Sequence, residues 1–398
     1  MGGPARREIR RWFAALSLTA AGRADDFRDD ENWVKTRTMI KRSGILRFAA
    51  IAVAIVLVQF AAIACSRNAV SNSEETRAAA EEAMAQGPTA LRTLAEEENA
   101  AAQYFLAGNY RTGTGVPADP AQAAAWFLQA AQQGHIESQY QLGLAYANGV
   151  GVEQDHAQAA DWFEESADQD YPDAQLALGN AYARGQGVEQ DFEEAVDWYL
   201  AAAEQTDTAS EAVGGAQHAL GLAYSNGSGV EQSDATAFQW YLSAAARDNA
   251  AAQYSLGVAY ETGLGVEQDI TRASEWYRRA AEQGYADAEY NLGIAYASGQ
   301  GVTPDLAEAA SWFRRSAENG NTDAQYNLAV MYAQGRGVEI DTIEAQKWLN
   351  IAATLGDDEA ADARDQIATA LSPAEIEEAQ ARADDWFTGL NAPALPVP

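Results

Sequence analysis

The chain has 398 residues, of which 26 are Lys or Arg and 58 are Asp or Glu, giving a formal net charge of −32. So acidic a balance repels a phosphate backbone and argues against nucleic acid as a partner. The single cysteine, Cys65, excludes an intrachain disulfide framework.

Residues 1–38 mix Arg-rich and acidic segments and carry no sustained helical period, so they are expected to be an upstream extension outside the folded protein. From Met39 the sequence changes character. Lys41, Arg42 and Arg47 precede an apolar run, 48–64, that ends in small residues before Cys65, which is the order of a secretory signal peptide. The segment Ala62-Ile63-Ala64-Cys65 resembles a bacterial lipobox, with Ala62 where that pattern usually has Leu, and the resemblance implies lipidation of Cys65. An uncleaved single-span anchor is the alternative, although 17 apolar residues is the short limit for crossing a bilayer. Both readings put the remainder beyond the cytoplasm, membrane-anchored in a bacterial envelope, because the basic residues flank the N-terminal side.

Residues 66–100 read as a polar tether followed by N-terminal capping helices, broken at Gly87-Pro88. Beyond them the chain repeats. Trp126, Trp162, Trp198, Trp240, Trp276, Trp312 and Trp348 are separated by 36, 36, 42, 36, 36 and 36 residues, which defines seven units and one six-residue insertion. In the fifth unit Leu256, Val258, Ala259 and Tyr260 give a helical apolar pattern, helix A. Gly263 and Gly265 then supply the positive φ that closes it, and Asp269 caps helix B. Trp276, Tyr277, Ala280 and Ala281 place one apolar stripe on helix B, so each unit is a helical hairpin.

Asp119, Asp155, Asp191, Ser233, Asp269, Asp305 and Asp341 occupy the same cap. Gln122, Gln158, Glu194, Glu308 and Glu344 three residues later are expected to complete capping boxes. The glycine that ends helix B is replaced by Asp170, Thr206 and Asp248, at a cost of about 1 kcal/mol if positive φ is required. The insertion Thr206–Gly215 is expected to lengthen the turn between units three and four, where the array could bend. After the seventh unit, 359–388 reads as C-terminal capping helices, with Ser372-Pro373-Ala374-Glu375 as a helix start. The tail 389–398 is expected to be disordered.

With this pattern, AxYxLGxxYxxGxGVxxD followed by AxxWxxxAAxxG over roughly 101–358, the chain resembles the Sel1-like repeat family, relatives of the tetratricopeptide repeats with a longer inter-helix loop. The resemblance implies an all-α fold, an α/α solenoid or right-handed superhelix of hairpins whose helices A line a concave binding surface. It implies no reaction.

Motifs that could carry chemistry have structural explanations. The Gly-x-Gly steps end a helix, whereas a phosphate loop needs a preceding strand and a helix N-terminus directly after it. His135, His156 and His218 lie in different repeats without metal-ligand spacing, and no base for a nucleophile stands out. No cofactor or metal is expected, and the chain reads as a non-enzyme. The tryptophan series at hairpin period reads as core, with Trp276 packing against the glycine-bearing helix A of a neighbour.

The family geometry leaves two rows of helix A for the concave side. The first is Tyr104, Tyr140, Leu176, His218, Tyr254, Tyr290 and Tyr326. The second is Thr112, Asn148, Arg184, Asn226, Thr262, Ser298 and Gln334. Tyr at these positions serves either packing or recognition, since it joins contact area to a polar tip. The expected function is that of a monomeric scaffold holding a protein or peptide partner, basic in character, in the groove, with membrane attachment through Cys65 or 48–64. The alternative is a cell-wall glycan binder or an envelope hydrolase.

Overall fold

The computed structural model describes residues 74–205 and 210–391. The extension, the signal-like segment, Cys65 and the extreme C-terminal tail lie outside the described residues. Residues 74–78, the described part of a unit spanning 1–78, are helical, and the described residues from 79 onward form a second compact unit.

The second unit is all-helical among the described residues. A leading helix α1 (Pro88–Glu96) precedes seven hairpins. These are α2 (Ala100–Thr112) with α3 (Pro120–Gln132), α4 (Ile136–Asn148) with α5 (His156–Ala167), α6 (Pro172–Arg184) with α7 (Phe192–Ala203), and α8 (Glu211–Asn226) with α9 (Asp234–Ala245). They continue as α10 (Ala250–Thr262) with α11 (Ile270–Glu282), α12 (Ala286–Ser298) with α13 (Leu306–Glu318), and α14 (Thr322–Gln334) with α15 (Thr342–Thr354), and α16 (Asp358–Ala368) and α17 (Pro373–Asn391) close the array. From α1 to α16 each helix packs on its neighbours in sequence, and α17 folds back onto α15, so the fold is an α/α solenoid.

Local signals set the boundaries. Every helix A ends at a left-handed glycine, such as Gly263 at φ 79°. The helix B caps accept as expected: Asp305 Oδ1 takes the amides of Ala307 at 2.9 Å and Glu308 at 3.1 Å. The return half of a capping box is not made in the repeats. The cap residue's own amide instead donates to a helix A carbonyl, as Asp269 N does to Tyr260 O at 2.9 Å and Asp119 N to Tyr110 O at 2.8 Å. That donor is therefore spent on closing the hairpin, and Gln122, Gln158, Glu194, Glu308 and Glu344 have nothing to cap. The full box does form at Ser372, where the backbone amide donates to Glu375 Oε2 at 2.7 Å and no helix A carbonyl competes.

Asp170 and Asp248 sit at φ 62° and 58°, so these two replacements adopt the left-handed conformation, and Thr206 lies outside the described residues. The insertion behaves differently from a longer turn. Ser210 caps α8 through Ala212 N, and Ala212 and Val213 are buried, so α8 starts early and runs for 16 residues with Gly214 and Gly215 inside it.

The core pairs also differ from the sequence expectation. A Cβ on Gly257 would stand 2.4 Å from the ring of Tyr277, the residue after the tryptophan, in the same hairpin. Tyr277 is 4% exposed, whereas Trp276 is only half-buried and packs along the seam between repeats. Trp312 and Trp348 are buried, while Trp126, Trp162, Trp198 and Trp240 are half-buried. The +1 aromatic is thus the knob of hairpins two to six, and the helix A glycine is its hole; Ala107 and Ala329 take the glycine's place in the first and seventh, and Leu349 the aromatic's in the seventh.

A row of buried glutamines ties the hairpins together. Gln103, Gln139, Gln175 and Gln253 are at most 3% exposed, and each accepts a bond from a glutamine at the end of helix B: Gln133 at 2.7 Å, Gln169 at 2.7 Å, Gln205 at 2.7 Å and Gln283 at 2.8 Å. The amide groups of Gln103, Gln139 and Gln175 also reach back to the preceding helix, as Gln103 Nε2 does to Ala95 O at 3.0 Å. In the sixth unit Glu289 takes the place of glutamine and accepts from Asn319 at 2.9 Å.

Tyr277→Ala is expected to cost about 3–5 kcal/mol in chemical denaturation, because it empties the space against Gly257. Trp276→Ala, from a half-exposed seam position, is expected to cost about 1–2 kcal/mol. A larger loss for Trp276 would contradict this assignment.

Candidate functional site on the helix A face

The helix A face carries three rows. The tyrosine row is half-buried and does packing work: Tyr104 lies 5.9 Å from Phe127, Tyr140 5.9 Å from Phe163, Tyr254 5.7 Å from Tyr277 and Tyr290 5.8 Å from Phe313, centroid to centroid. Several also bridge to the next repeat, as Tyr254 does to Tyr285 at 5.2 Å and Tyr140 to Tyr171 at 5.5 Å. Burial first, then Asp287, raises the Tyr254 phenol, and burial first, then Asp323, raises that of Tyr290, so both remain neutral donors. Tyr326 is half-buried in the packing of the last hairpins.

The polar row is exposed at all seven positions. Thr112, Asn148, Thr262 and Ser298 turn back to the carbonyl four residues earlier in their own helix, at 3.1, 3.0, 2.7 and 2.7 Å. Arg184 and Asn226 instead border a cavity, and Gln334 is exposed at the end of α14.

Between these rows lies a third that the sequence reading passed over: Leu144, Asn180, Leu222, Val258, Ile294 and Val330, four residues after the tyrosine position and four before the polar one. The i, i+4 relation puts all three rows on one stripe of the helix. Leu222 is 42% exposed, a large apolar side chain in water.

Two cavities flank Leu222. One, of about 240 Å³ between repeats three and four, is lined by Asn180, Phe192, Val196, Tyr199 and Leu222 among others. The second, of about 270 Å³ between repeats four and five, is lined by Leu222, Phe238, Tyr241, Tyr254, Val258 and Leu264 among others. Phe192 and Leu264 are 42% and 50% exposed, so the rims are apolar as well.

The equivalent junction between repeats five and six holds only about 30 Å³. There Glu261 accepts from the Tyr277 hydroxyl and Asn291 lines the remainder, whereas Ser225 and Ser255 stand at those two positions one repeat earlier. Two serines in place of Glu and Asn thus open the larger cavity.

His218 is the tyrosine-row residue of the fourth repeat. Its Nε2 lies 3.1 Å from Ser255 Oγ on α10 and its ring 5.7 Å from Tyr241. Burial pushes its pKa down to about 4, so the imidazole is neutral in the folded protein near neutrality. The unfolded chain takes up a proton near pH 6.5 and the folded one does not until about pH 4. The stabilisation is therefore complete above about 6.5 and lost as pH falls through that window. We expect His218→Tyr to remove up to about 3 kcal/mol of the stability difference between pH 7 and pH 4.5. An unchanged pH profile would show that His218 titrates normally.

Among the described residues, no cluster of three or more His, Cys, Asp or Glu could hold a metal ion, and no helix is long and apolar enough to cross a membrane.

The Sel1 repeat profile matches 100–135, 136–171, 172–207, 215–249, 250–285, 286–321 and 322–357, leaving out the insertion. A Sel1 repeat protein from Oxalobacter formigenes is similar in structure, with 38% identity, 70% of this chain and 80% of that chain covered, and a TM-score of 0.62. Also similar are c5321, a protective antigen of uropathogenic Escherichia coli with an SLR fold, and immunity protein Pa5087 from Pseudomonas aeruginosa. The first has 27% identity, coverage of 78% of this chain and 90% of that one, and a TM-score of 0.44. The second has 21% identity, coverage of 55% and 80%, and a TM-score of 0.37. No curated protein matches the chain. Seven consecutive matched repeats and the shared hairpin stack establish that this chain belongs to the Sel1 repeat family.

Proposed function

We propose that the protein is an envelope-anchored, non-enzymatic scaffold that holds a protein or peptide partner on the helix A face, centred on the fourth repeat. The Sel1 repeat fold is one typical of protein interaction modules. The observation that carries the reading is Leu222, exposed between two apolar cavities of about 240 and 270 Å³. A pair of such cavities suits two bulky apolar side chains of one bound segment, and stacked hairpins fix the lining side chains beforehand, so little entropy is lost on binding. Asp234 in the lining of the larger cavity, with the −32 net charge, favours a partner with basic residues beside its apolar ones. Anchoring through a lipid on Cys65, with the repeats outside the cytoplasm and the chain acting as a monomer, completes the proposal.

The test is a crosslinking pull-down from native membranes with three versions of the protein. The unaltered chain is expected to recover a defined partner in the membrane fraction. Leu222→Glu, at an exposed position, is expected to keep its thermal stability and lose at least ~10-fold in recovery. Cys65→Ser is expected to leave the membrane fraction. Undiminished recovery with Leu222→Glu would refute the groove, and retention of Cys65→Ser on membranes would refute the lipid anchor.

A further inference from the structure

On the helix B side, repeats one and two enclose an open cavity of about 630 Å³ framed by Ala131, Gln139, Asp161, Trp162, Glu164 and Glu165, among others. The same place in the sixth repeat, 150 residues on, is filled by the protein itself. There Arg315 lays its guanidinium over the Trp312 ring at 4.5 Å, donates to the Ala281 carbonyl at 2.8 Å and pairs with fully buried Glu289 at 2.9 Å. Ala281, Glu289 and Trp312 are the counterparts of Ala131, Gln139 and Trp162. The fifth repeat repeats the stack, with Arg279 at 4.5 Å over Trp276. In repeats five and six the group over the indole is thus a guanidinium, and in the seventh it is an ammonium, Lys347 Nζ at 4.3 Å over Trp348.

In the second repeat the charge is inverted. Glu164 and Glu165 stand where the sixth repeat has Arg314 and Arg315, and no Lys or Arg occurs between Arg111 and Arg184. The indole face of Trp162 is left without the cation that covers Trp276, Trp312 and Trp348, and carboxylates line the cavity beside it. A guanidinium fits such a site better than an ammonium ion, because it is planar, stacks on an indole and is more weakly hydrated.

We propose that this cavity is a receptor site for an arginine side chain of a basic protein or peptide, stacked on Trp162 and balanced by Asp161 and Glu165. It is separate from the helix A groove and does not depend on that reading. The test uses hexa-arginine and hexa-lysine peptides, with binding followed by fluorescence anisotropy at physiological salt. The arginine peptide is expected to bind at least ~10-fold more tightly than the lysine peptide. Glu165→Arg, which lets the second repeat fill its own cavity as the sixth does, is expected to fold normally and lower arginine-peptide affinity at least ~10-fold. Glu165→Gln, which removes the charge without filling the space, is expected to lower it only ~2–3-fold. Leu222→Glu is expected to leave this binding intact. Equal affinity for the two peptides, or equal losses for Glu165→Arg and Glu165→Gln, would reduce the site to a diffuse acidic surface and overturn the proposal.

Discussion

The stack depends on a hydrogen bond between two side chains thirty residues apart, from a helix B terminus to a glutamine buried near the start of helix A, as from Gln283 Nε2 to Gln253 Oε1. A primary amide in an apolar interior is costly unless it is paired, by about 1–3 kcal/mol, so each such glutamine selects the one register in which its partner reaches it. The same side chain also bonds the preceding helix B, as Gln175 Nε2 does to Ala167 O at 3.3 Å, and so one residue joins three consecutive helices. This explains where the chain tolerates extra length. The insertion falls between Gln205 and Gln217, outside the thirty-residue spans that the side-chain pairs close, and α8 absorbs part of it as helix; the bond from Gln217 Nε2 to Ala203 O, at 3.3 Å, forms across it. Within a thirty-residue span, an added residue would leave a buried amide unpaired.

With the register fixed, variation is confined to positions that face outward or into the seams. The fourth repeat uses that freedom most. Arg247 stands where repeats one, two, three and five have the helix B glutamine, and Gln217 Oε1 accepts no hydrogen bond. Ser225 and Ser255 open a cavity, His218 replaces tyrosine, and Leu222 projects between two apolar pockets. The helix B side varies in charge instead: arginines cover Trp276 and Trp312 in repeats five and six, while carboxylates line the cavity beside Trp162. One scaffold therefore presents two unlike surfaces, an apolar groove on helix A and an acidic aromatic cleft on helix B.

Most of the architecture was legible in the sequence because its causes are local. Gly263 closes a helix wherever it stands, Asp305 caps one, and the tryptophan period counts the repeats. What escaped was set by neighbours. Gln253 reads as a surface residue in a helical pattern, and only the tertiary structure shows it 3% exposed and bonded. Trp276 looked like the core aromatic because it is the larger and more regular, yet the glycine of helix A faces Tyr277. The capping boxes failed because Tyr260 and its equivalents claim the cap amides, a competition visible only once the hairpin is closed. On the helix A face, the repeat phase picks out the tyrosine and polar rows but not the apolar row between them. Leu222 and Val258 resemble ordinary core positions in sequence, and the cavities beside them arise from two serines that mean nothing until they are compared across a junction.

The seventh repeat isolates the central interaction. Gln325 is fully buried, its Oε1 accepts no hydrogen bond, and the position thirty residues on is the exposed Leu355 instead of a glutamine. The most direct measurement is the chemical-denaturation stability of Leu355→Gln, which supplies the missing donor without touching the core. The account predicts a gain of about 1 kcal/mol; unchanged or reduced stability would contradict the claim that these bonds hold the repeats in register.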